Sequence, residues 1–115
     1  MNKINLRPAL EFMDHDEEIL YSVVDAFIKE VPSLVKQIDD AILANDRSTA
    51  ERAAHTLKGN FLILQLHDQQ SEWARIEAAI HDDGISNIAE FLLSARAVSD
   101  DVVSQLRDIM DARKS

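Results

Sequence analysis

The chain contains no cysteine, and only two glycines and two prolines occur in its 115 residues. The absence of cysteine excludes disulfides and thiolate chemistry. The scarcity of turn-forming residues, together with plentiful alanine, leucine and isoleucine, favours an all-α fold. No apolar run approaches the roughly 18 residues of a membrane span, and residues 1–5 lack the apolar segment of a signal peptide. We therefore expect an all-α protein in the cytoplasm.

Basic side chains are also scarce, since 12 lysines and arginines stand against 21 acidic residues and the formal net charge is −9. This charge opposes binding to nucleic-acid phosphates or to an anionic membrane surface. The length and the 46% hydrophobic content suffice for one core without metal or disulfide support. We expect a single domain over residues 1–115, and a free-standing one because a compact sequence begins at Met1.

Apolar residues recur at helical spacing and predict an antiparallel four-helix bundle with a short additional N-terminal helix. Pro32 is expected to end or kink the first long helix and to open the next. Asp46 or Ser48 is predicted to cap the helix that follows, and Asp68 the one after it. The last helix is expected to be interrupted near residues 99–101. The predicted helical ranges are 8–13, 14–31, 32–43, 48–66, 69–81 and 86–113.

The most informative segment is AHTLKGN at residues 54–60. It places Lys58 and Gly59 three and four positions after His55, on the same side of a helix. Glycine costs about 1 kcal/mol relative to alanine in a helix interior, so the space beside Gly59 is needed by a neighbouring helix or by a partner. Successive residues rotate by roughly 100°, and His55 is therefore expected to point away from the core. The opposite, apolar stripe comprises Ala50, Ala53, Leu57, Phe61 and Leu64.

This arrangement suits phosphoryl chemistry. An imidazole with a pKa near 6.5 is largely neutral at cytoplasmic pH, and its neutral nitrogen is nucleophilic. The N–P bond that it forms is high in energy, so the phosphoryl group passes readily to a carboxylate. The Lys58 ammonium offers a positive charge to phosphoryl oxygens. A glycine lets another protein approach the helix closely enough for in-line transfer.

The pattern resembles the H-x-x-K-G signature of histidine-containing phosphotransfer domains, the relay modules of two-component systems. The similarity spans most of residues 8–110, with DEE at 16–18, AF at 26–27, Pro32, ND at 45–46 and AHTLKG at 54–59 in the family's order. It implies that His55 accepts and donates the phosphoryl group, that Lys58 supports the phosphate and that Gly59 gives clearance. Glu77 matches the position from which the next helix orients the imidazole, with a solvent-facing charge as the alternative.

The chain departs from the family pattern directly after the glycine, where small residues and a second glycine are usual. Here the sequence is NFLILQL at residues 60–66. Asn60 stands where a serine is common, and it is predicted to donate a hydrogen bond to the phosphate. Leu62 lies on the His55 face, either half-buried at a helix crossing or as part of a docking surface. The bulk indicates a divergent member with an unusual partner surface.

The resemblance implies a phosphorelay intermediate that accepts a phosphoryl group on His55 from a receiver-domain aspartyl phosphate and passes it to another receiver. Its partners would be response-regulator receiver domains and a hybrid sensor histidine kinase. The family implies a monomer without a cofactor of its own, with magnesium supplied by the receiver. The sequence has no glycine-rich phosphate loop and no nucleotide-binding signature, so we expect no ATP-dependent kinase activity.

Two other functions are weighed against this one. A helical module that docks on receivers without transferring phosphate would not need the histidine. A metal-binding bundle would need Glu-x-x-His pairs that face inward, whereas Glu51 precedes His55 by four residues and both point outward, so no metal site is predicted. The remaining histidines, His15, His67 and His81, are expected to be ordinary surface or capping residues.

Overall fold

The structure is a computed structural model that describes residues 3–114, and these residues form five α-helices without a strand. The predicted all-α bundle of four long helices with a short N-terminal one is confirmed. Residues 1, 2 and 115, which the single-domain prediction included, lie outside the described part. Within that part, no helix is both long and apolar enough to cross a membrane. The helices are α1 (Arg7–Phe12), α2 (Glu17–Leu43), α3 (Arg47–Ile63), α4 (His67–Asp83) and α5 (Ala89–Lys114).

Helix α2 runs through Pro32 as one element of 27 residues, so the prediction that a new helix opens at this proline is wrong. A proline in a helix interior costs about 3 kcal/mol because one hydrogen bond is lost and the ring crowds the preceding turn. Burial of the opposite face offsets that cost, since one large apolar side chain contributes about 1.5–3 kcal/mol. Pro32 itself is exposed. The buried stripe of α2 comprises Leu20, Val24, Phe27, Val31, Val35, Ile38 and Ala41.

Aspartate side chains cap the N-termini of α2 and α3. The Asp16 carboxylate accepts a hydrogen bond of 3.1 Å from the backbone N–H of Ile19 and caps α2. The Asp46 carboxylate accepts one of 3.1 Å from the N–H of Thr49 and caps α3. Such caps satisfy backbone donors that have no partner inside the helix. Of the two caps predicted for α3, the observed one is therefore Asp46.

Helix α3 ends at Ile63, three residues earlier than predicted, because Gln65 adopts a left-handed conformation with φ of 58°. A backbone in that region cannot continue a right-handed helix. Helix α4 then starts at His67 with Leu66 at its N-cap position. Asp68 lies in the first turn of α4, so its predicted role as the cap is wrong.

Helix α5 continues without interruption from Ala89 to Lys114, so the break predicted near residues 99–101 is wrong. Ser99 is buried, and its hydroxyl accepts a hydrogen bond of 3.1 Å from the indole N–H of Trp73 on α4. A buried polar group is tolerated where it has a partner. Ser99 therefore belongs to the α4–α5 interface rather than to a turn.

The four long helices pack in an antiparallel arrangement in which α2 and α4 each contact both α3 and α5. Segments of three residues (44–46 and 64–66) and five residues (84–88) join them, and connections this short make consecutive helices antiparallel. Contacts between helices reflect this antiparallel arrangement, because residues early in one helix lie against residues late in its neighbour. Examples are Tyr21 with Arg113, Asp39 with Arg96, and Phe27 with Phe61. Helix α3 thus lies between α2 and α4 and leaves one face outward.

Candidate functional site

The outward face of α3 carries His55. All five residues of the predicted apolar stripe on the opposite side are buried, and the His55 side chain is 65% exposed. The prediction that the histidine points away from the core is therefore confirmed. Ala54, directly before it, is fully buried. The backbone at this position is anchored in the core while the imidazole stands in solvent.

Helix α4 brings Glu77 against the histidine. One carboxylate oxygen, Oε2, lies 2.7 Å from Nδ1 of His55, and the other, Oε1, accepts a hydrogen bond of 2.8 Å from Nζ of Lys58. Glu77 is 21% exposed and Lys58 29% exposed. Glu77 is thus not a solvent-facing charge, because it joins the two predicted functional side chains of α3 from the neighbouring helix.

The electrostatics of this cluster keep Glu77 ionised. Burial raises the pKa of its carboxyl, but the hydrogen bonds and charges of Lys58 and His55 together outweigh burial and hold the pKa below its ordinary value. An ionised carboxylate can only accept hydrogen bonds, so Nδ1 of His55 carries the ring proton and donates it to Glu77. The lone pair of a neutral ring then lies on Nε2, at the edge facing away from Glu77. The arrangement presents one nucleophilic nitrogen to solvent.

Gly59 and Leu62 occupy the same outward face. A Cβ atom built on Gly59 meets no atom of the described chain within 4 Å. The space beside Gly59 is therefore not taken by a neighbouring helix, and the predicted clearance for a partner stays a prediction. Leu62 is 44% exposed, with Ile63 beside it at 48%. The predicted docking role of Leu62 stays a prediction, on a side chain that is available for it.

Asn60 lies on a different side of α3. Five residues after His55 correspond to a rotation of about 140° from the histidine. Its side-chain nitrogen Nδ2 is buried and has no hydrogen-bond partner in the described part of the chain. In this conformation the amide nitrogen does not reach the outward face. The predicted hydrogen bond from Asn60 to a phosphate would require the side chain to leave its buried position.

A second pair of the same type, not predicted from the sequence, lies one turn along the two helices. Nδ1 of His81 on α4 lies 2.7 Å from Oε1 of Glu51 on α3. Glu51 is four residues before His55, and His81 is four residues after Glu77. In the first pair α3 carries the imidazole and α4 the carboxylate, and in the second pair the two are reversed. His81 is a surface residue as predicted, but it has a partner. The signal was the matched spacing of four, which becomes informative only once the antiparallel register is known.

The metal-binding alternative has no support in this geometry. Within residues 3–114, no group of three or more histidine, cysteine, aspartate and glutamate side chains is placed to hold a metal ion. Glu51 pairs with His81 and not with His55, and the His55 and His81 side chains face outward at 65% and 72% exposure. An inward-facing carboxylate–histidine site, as found in metal-binding bundles, is not formed by these residues.

Comparison with known proteins agrees with the helical architecture. A family model described as "Hpt domain" matches residues 22–115. A crystal structure of the HPT domain from the Hpt sensor hybrid histidine kinase of Shewanella superposes with a TM-score of 0.85, at 18% sequence identity, over 95% of this chain and 94% of that one. At this identity the superposition shows a shared fold. No curated protein gives a significant match to the chain.

Proposed function

Because this chain belongs to the Hpt domain family, whose members are histidine phosphotransfer modules of phosphorelays, we propose that His55 is its phosphoryl-carrying residue. The donor would be an aspartyl phosphate on a receiver domain, and the acceptor an aspartate on another receiver domain. The observation that carries the proposal is the 2.7 Å contact between Nδ1 of His55 and Glu77, which leaves Nε2 as the outward nucleophile.

The transfer is written with Nε2 as the attacking atom. Its lone pair forms the N–P bond as the P–O bond of the acyl phosphate breaks, and the receiver carboxylate leaves with that electron pair. Nδ1 keeps its proton, so the ring becomes a phosphorylated imidazolium whose positive charge the Glu77 carboxylate stabilises. The reverse sequence returns the phosphoryl group to an aspartate. Glu77 acts through hydrogen bonding and charge and exchanges no proton.

Lys58 supports the phosphate in this proposal. Its Nζ is 2.8 Å from Glu77 in the unphosphorylated protein, and an ammonium on a flexible stem can move toward phosphoryl oxygens on the adjacent ring. Magnesium would come from the receiver domain. Within residues 3–114 the chain has no cluster suited to holding a metal ion. In this proposal the histidine module supplies the nitrogen nucleophile and the receiver domain supplies the metal.

The docking surface would surround His55 on the outward face of α3. Gly59 provides clearance there, and Leu62 with Ile63 adds apolar area. The bulky segment after the glycine therefore divides between two roles, because Phe61 and Leu64 are buried in the core. Receiver domains and a hybrid sensor histidine kinase are the proposed partners. A monomeric state and a cytoplasmic location belong to the same proposal.

The alternative of a docking module without transfer is separated from this proposal by the fate of the phosphoryl group. A phosphorylated receiver domain labelled on phosphorus is mixed with the wild-type chain and with His55→Gln. We expect an acid-labile, base-stable label at position 55 in the wild type and a rate of acceptance at least ten-fold lower in the variant. His67→Gln, at another exposed histidine, is the control and should transfer as the wild type does.

If His55→Gln accepted the label as fast as the wild type, His55 would not be the carrier. If the wild type bound the receiver without acquiring label, the docking module would be the better description. Binding of the receiver to both proteins, measured in parallel, shows whether a loss of label reflects lost chemistry or lost contact.

A further inference from the structure

The pair formed by His81 and Glu51 repeats the arrangement around His55 on the same two helices. We propose that His81 is a second phosphoryl-accepting histidine, which takes an activated phosphoryl group on Nε2. The proposal goes beyond the role of His55 and does not depend on it. The proposal rests on the orientation of the ring, on the cation bound to the backbone of the same residue and on the open helix end that follows it.

The orientation of the ring matches that of His55. Nδ1 of His81 lies 2.7 Å from a Glu51 carboxylate oxygen, the same separation as between His55 and Glu77. The Glu51 carboxylate accepts a hydrogen bond from the Nδ1–H group of His81, so the lone pair of the neutral ring lies on Nε2. The side chain of His81 is 72% exposed and that of Glu51 31% exposed. The nucleophilic nitrogen therefore faces solvent, while the orienting carboxylate is partly shielded.

A cation is bound at the backbone of His81, whereas Lys58 at the other site bonds to the orienting carboxylate of Glu77. The guanidinium of Arg47 donates a hydrogen bond to the backbone carbonyl of His81, which ties a positive charge to the same residue as the imidazole. Arginine presents five N–H donors in a planar fork, so one bond to a carbonyl leaves donors for phosphoryl oxygens. A positive charge held at the residue that carries an oriented imidazole favours acceptance of a phosphoryl group.

The C-terminal end of α4 beyond His81 is also open. Gly84, three residues after His81, is the C-cap of α4 with φ of 79°. A Cβ atom built on Gly84 meets no described atom beyond its two chain neighbours within 4 Å. Among the described histidines, His15 and His67 are exposed and form no ion pair with a carboxylate. They therefore serve as internal standards.

The covalent step balances without an additional reactant. The Nε2 lone pair of His81 forms the N–P bond, the bond between phosphorus and the leaving group breaks, and the leaving group departs with that electron pair. Nδ1 retains its proton against Glu51. The activated phosphoryl group can come from a receiver aspartyl phosphate or from a small phosphoryl donor, and both deliver the same group to the same nitrogen.

The test uses the full chain and resolves the label by residue. Wild-type protein and His55→Gln are treated with phosphoramidate in one arm and with a phosphorylated receiver domain in the other. Tandem mass spectrometry then gives the rate at each histidine. We expect His81 to be labelled about five-fold or more faster than His15 and His67, since one charge-assisted hydrogen bond of this kind contributes that factor when it is partly exposed. Each of the three histidines is directly followed by an aspartate, Asp16, Asp68 or Asp82.

Glu51→Gln should lower the rate at His81 to that of the two standards, whereas Glu72→Gln, the same change on another face of α4, should leave it unaltered. Phosphorus NMR should place the phosphoryl group on Nε2. Equal labelling of the three histidines in both arms, or attachment at Nδ1, would overturn the proposal. Label on His81 without label on His55 would support this second site and contradict the proposed function. Label on His55 without label on His81 would support the proposed function and overturn the second site.

Discussion

Replacing Gly59 with alanine should stabilise the bundle and slow phosphoryl transfer at the same time. Residue 59 lies in the interior of α3, where alanine is favoured over glycine by about 1 kcal/mol. The added Cβ meets no atom of the described chain within 4 Å, so no clash reduces the gain and no burial adds to it. The free energy of unfolding should therefore rise by about 0.5–1 kcal/mol, which corresponds to roughly 3–6 °C in the melting temperature.

Transfer should respond in the opposite direction. If a receiver domain packs against the bare backbone at Gly59, the new methyl group lies in that contact, and an overpacked contact costs typically about 1–3 kcal/mol. We expect the rate of phosphoryl acceptance by His55 to fall roughly ten-fold. Urea unfolding followed by circular dichroism measures the first effect, and rapid-quench transfer from a phosphorylated receiver measures the second.

Gly84→Ala is the matched control because the same substitution should have the opposite effect on stability. Gly84 has φ of 79° and ψ of −165°, a region that essentially only glycine adopts, and a side chain there costs about 1–3 kcal/mol. A stabilised Gly59→Ala protein that transfers at the wild-type rate would refute the clearance argument. A destabilised one would refute the assignment of residue 59 to an open helix interior.

Three further substitutions test the site and the fold. Glu77→Gln should lower the free energy of unfolding at neutral pH by about 1 kcal/mol. Because the folded protein holds the pKa of Glu77 below its ordinary value, this contribution is present above the unfolded glutamate pKa of about 4.3 and is lost as pH falls through the folded value. The free energies of unfolding of the two proteins should therefore converge at low pH, and a constant difference would contradict this linkage. In the variant, nitrogen NMR should show more of the His55 tautomer that is protonated on Nε2. Pro32→Ala should stabilise α2 by about 2 kcal/mol in urea unfolding, because the lost hydrogen bond returns, and no gain would mean that the helix is already relaxed around the ring. Ser99→Ala should destabilise the protein by about 1–3 kcal/mol in the same assay, since the buried indole N–H of Trp73 loses its acceptor, and a neutral result would show that another acceptor replaces it.

The orientation of His55 was predictable because it depends only on local helix geometry. The stripe opposite the histidine is apolar at helical spacing, and a helix with such a stripe turns it inward whatever the neighbouring elements are. The same reasoning predicted helical structure in each long helix, although it divided α2 at Pro32 and expected a break in α5. It could not predict that α2 continues through Pro32, because the local cost of proline is offset by burial against other helices, which a local pattern does not contain.

The contacts between helices could not be predicted from the sequence for a different reason. Glu77 was identified through the family resemblance, whereas the pair of Glu51 and His81 was not identified, although each member lies four residues from a member of the first pair. Their register depends on where α3 stops and α4 starts, and that is decided by the left-handed conformation of Gln65. Glutamine has no special preference for that conformation, so no residue type marked the end. Asn60 was placed near the phosphate because the family commonly has a serine at this position, and its buried amide nitrogen shows that position on the helix decides where such a group points.

Trp73 is the sole tryptophan of the chain, buried to 1% exposure and hydrogen-bonded to Ser99. It also stands four residues before Glu77 on α4, one turn from the carboxylate that joins His55 to Lys58. Its fluorescence therefore comes from one known position in the core, and global unfolding must change that signal by exposing the ring to water. The bundle thus contains its own optical probe of unfolding, which reports on every variant of the histidine site without an added label.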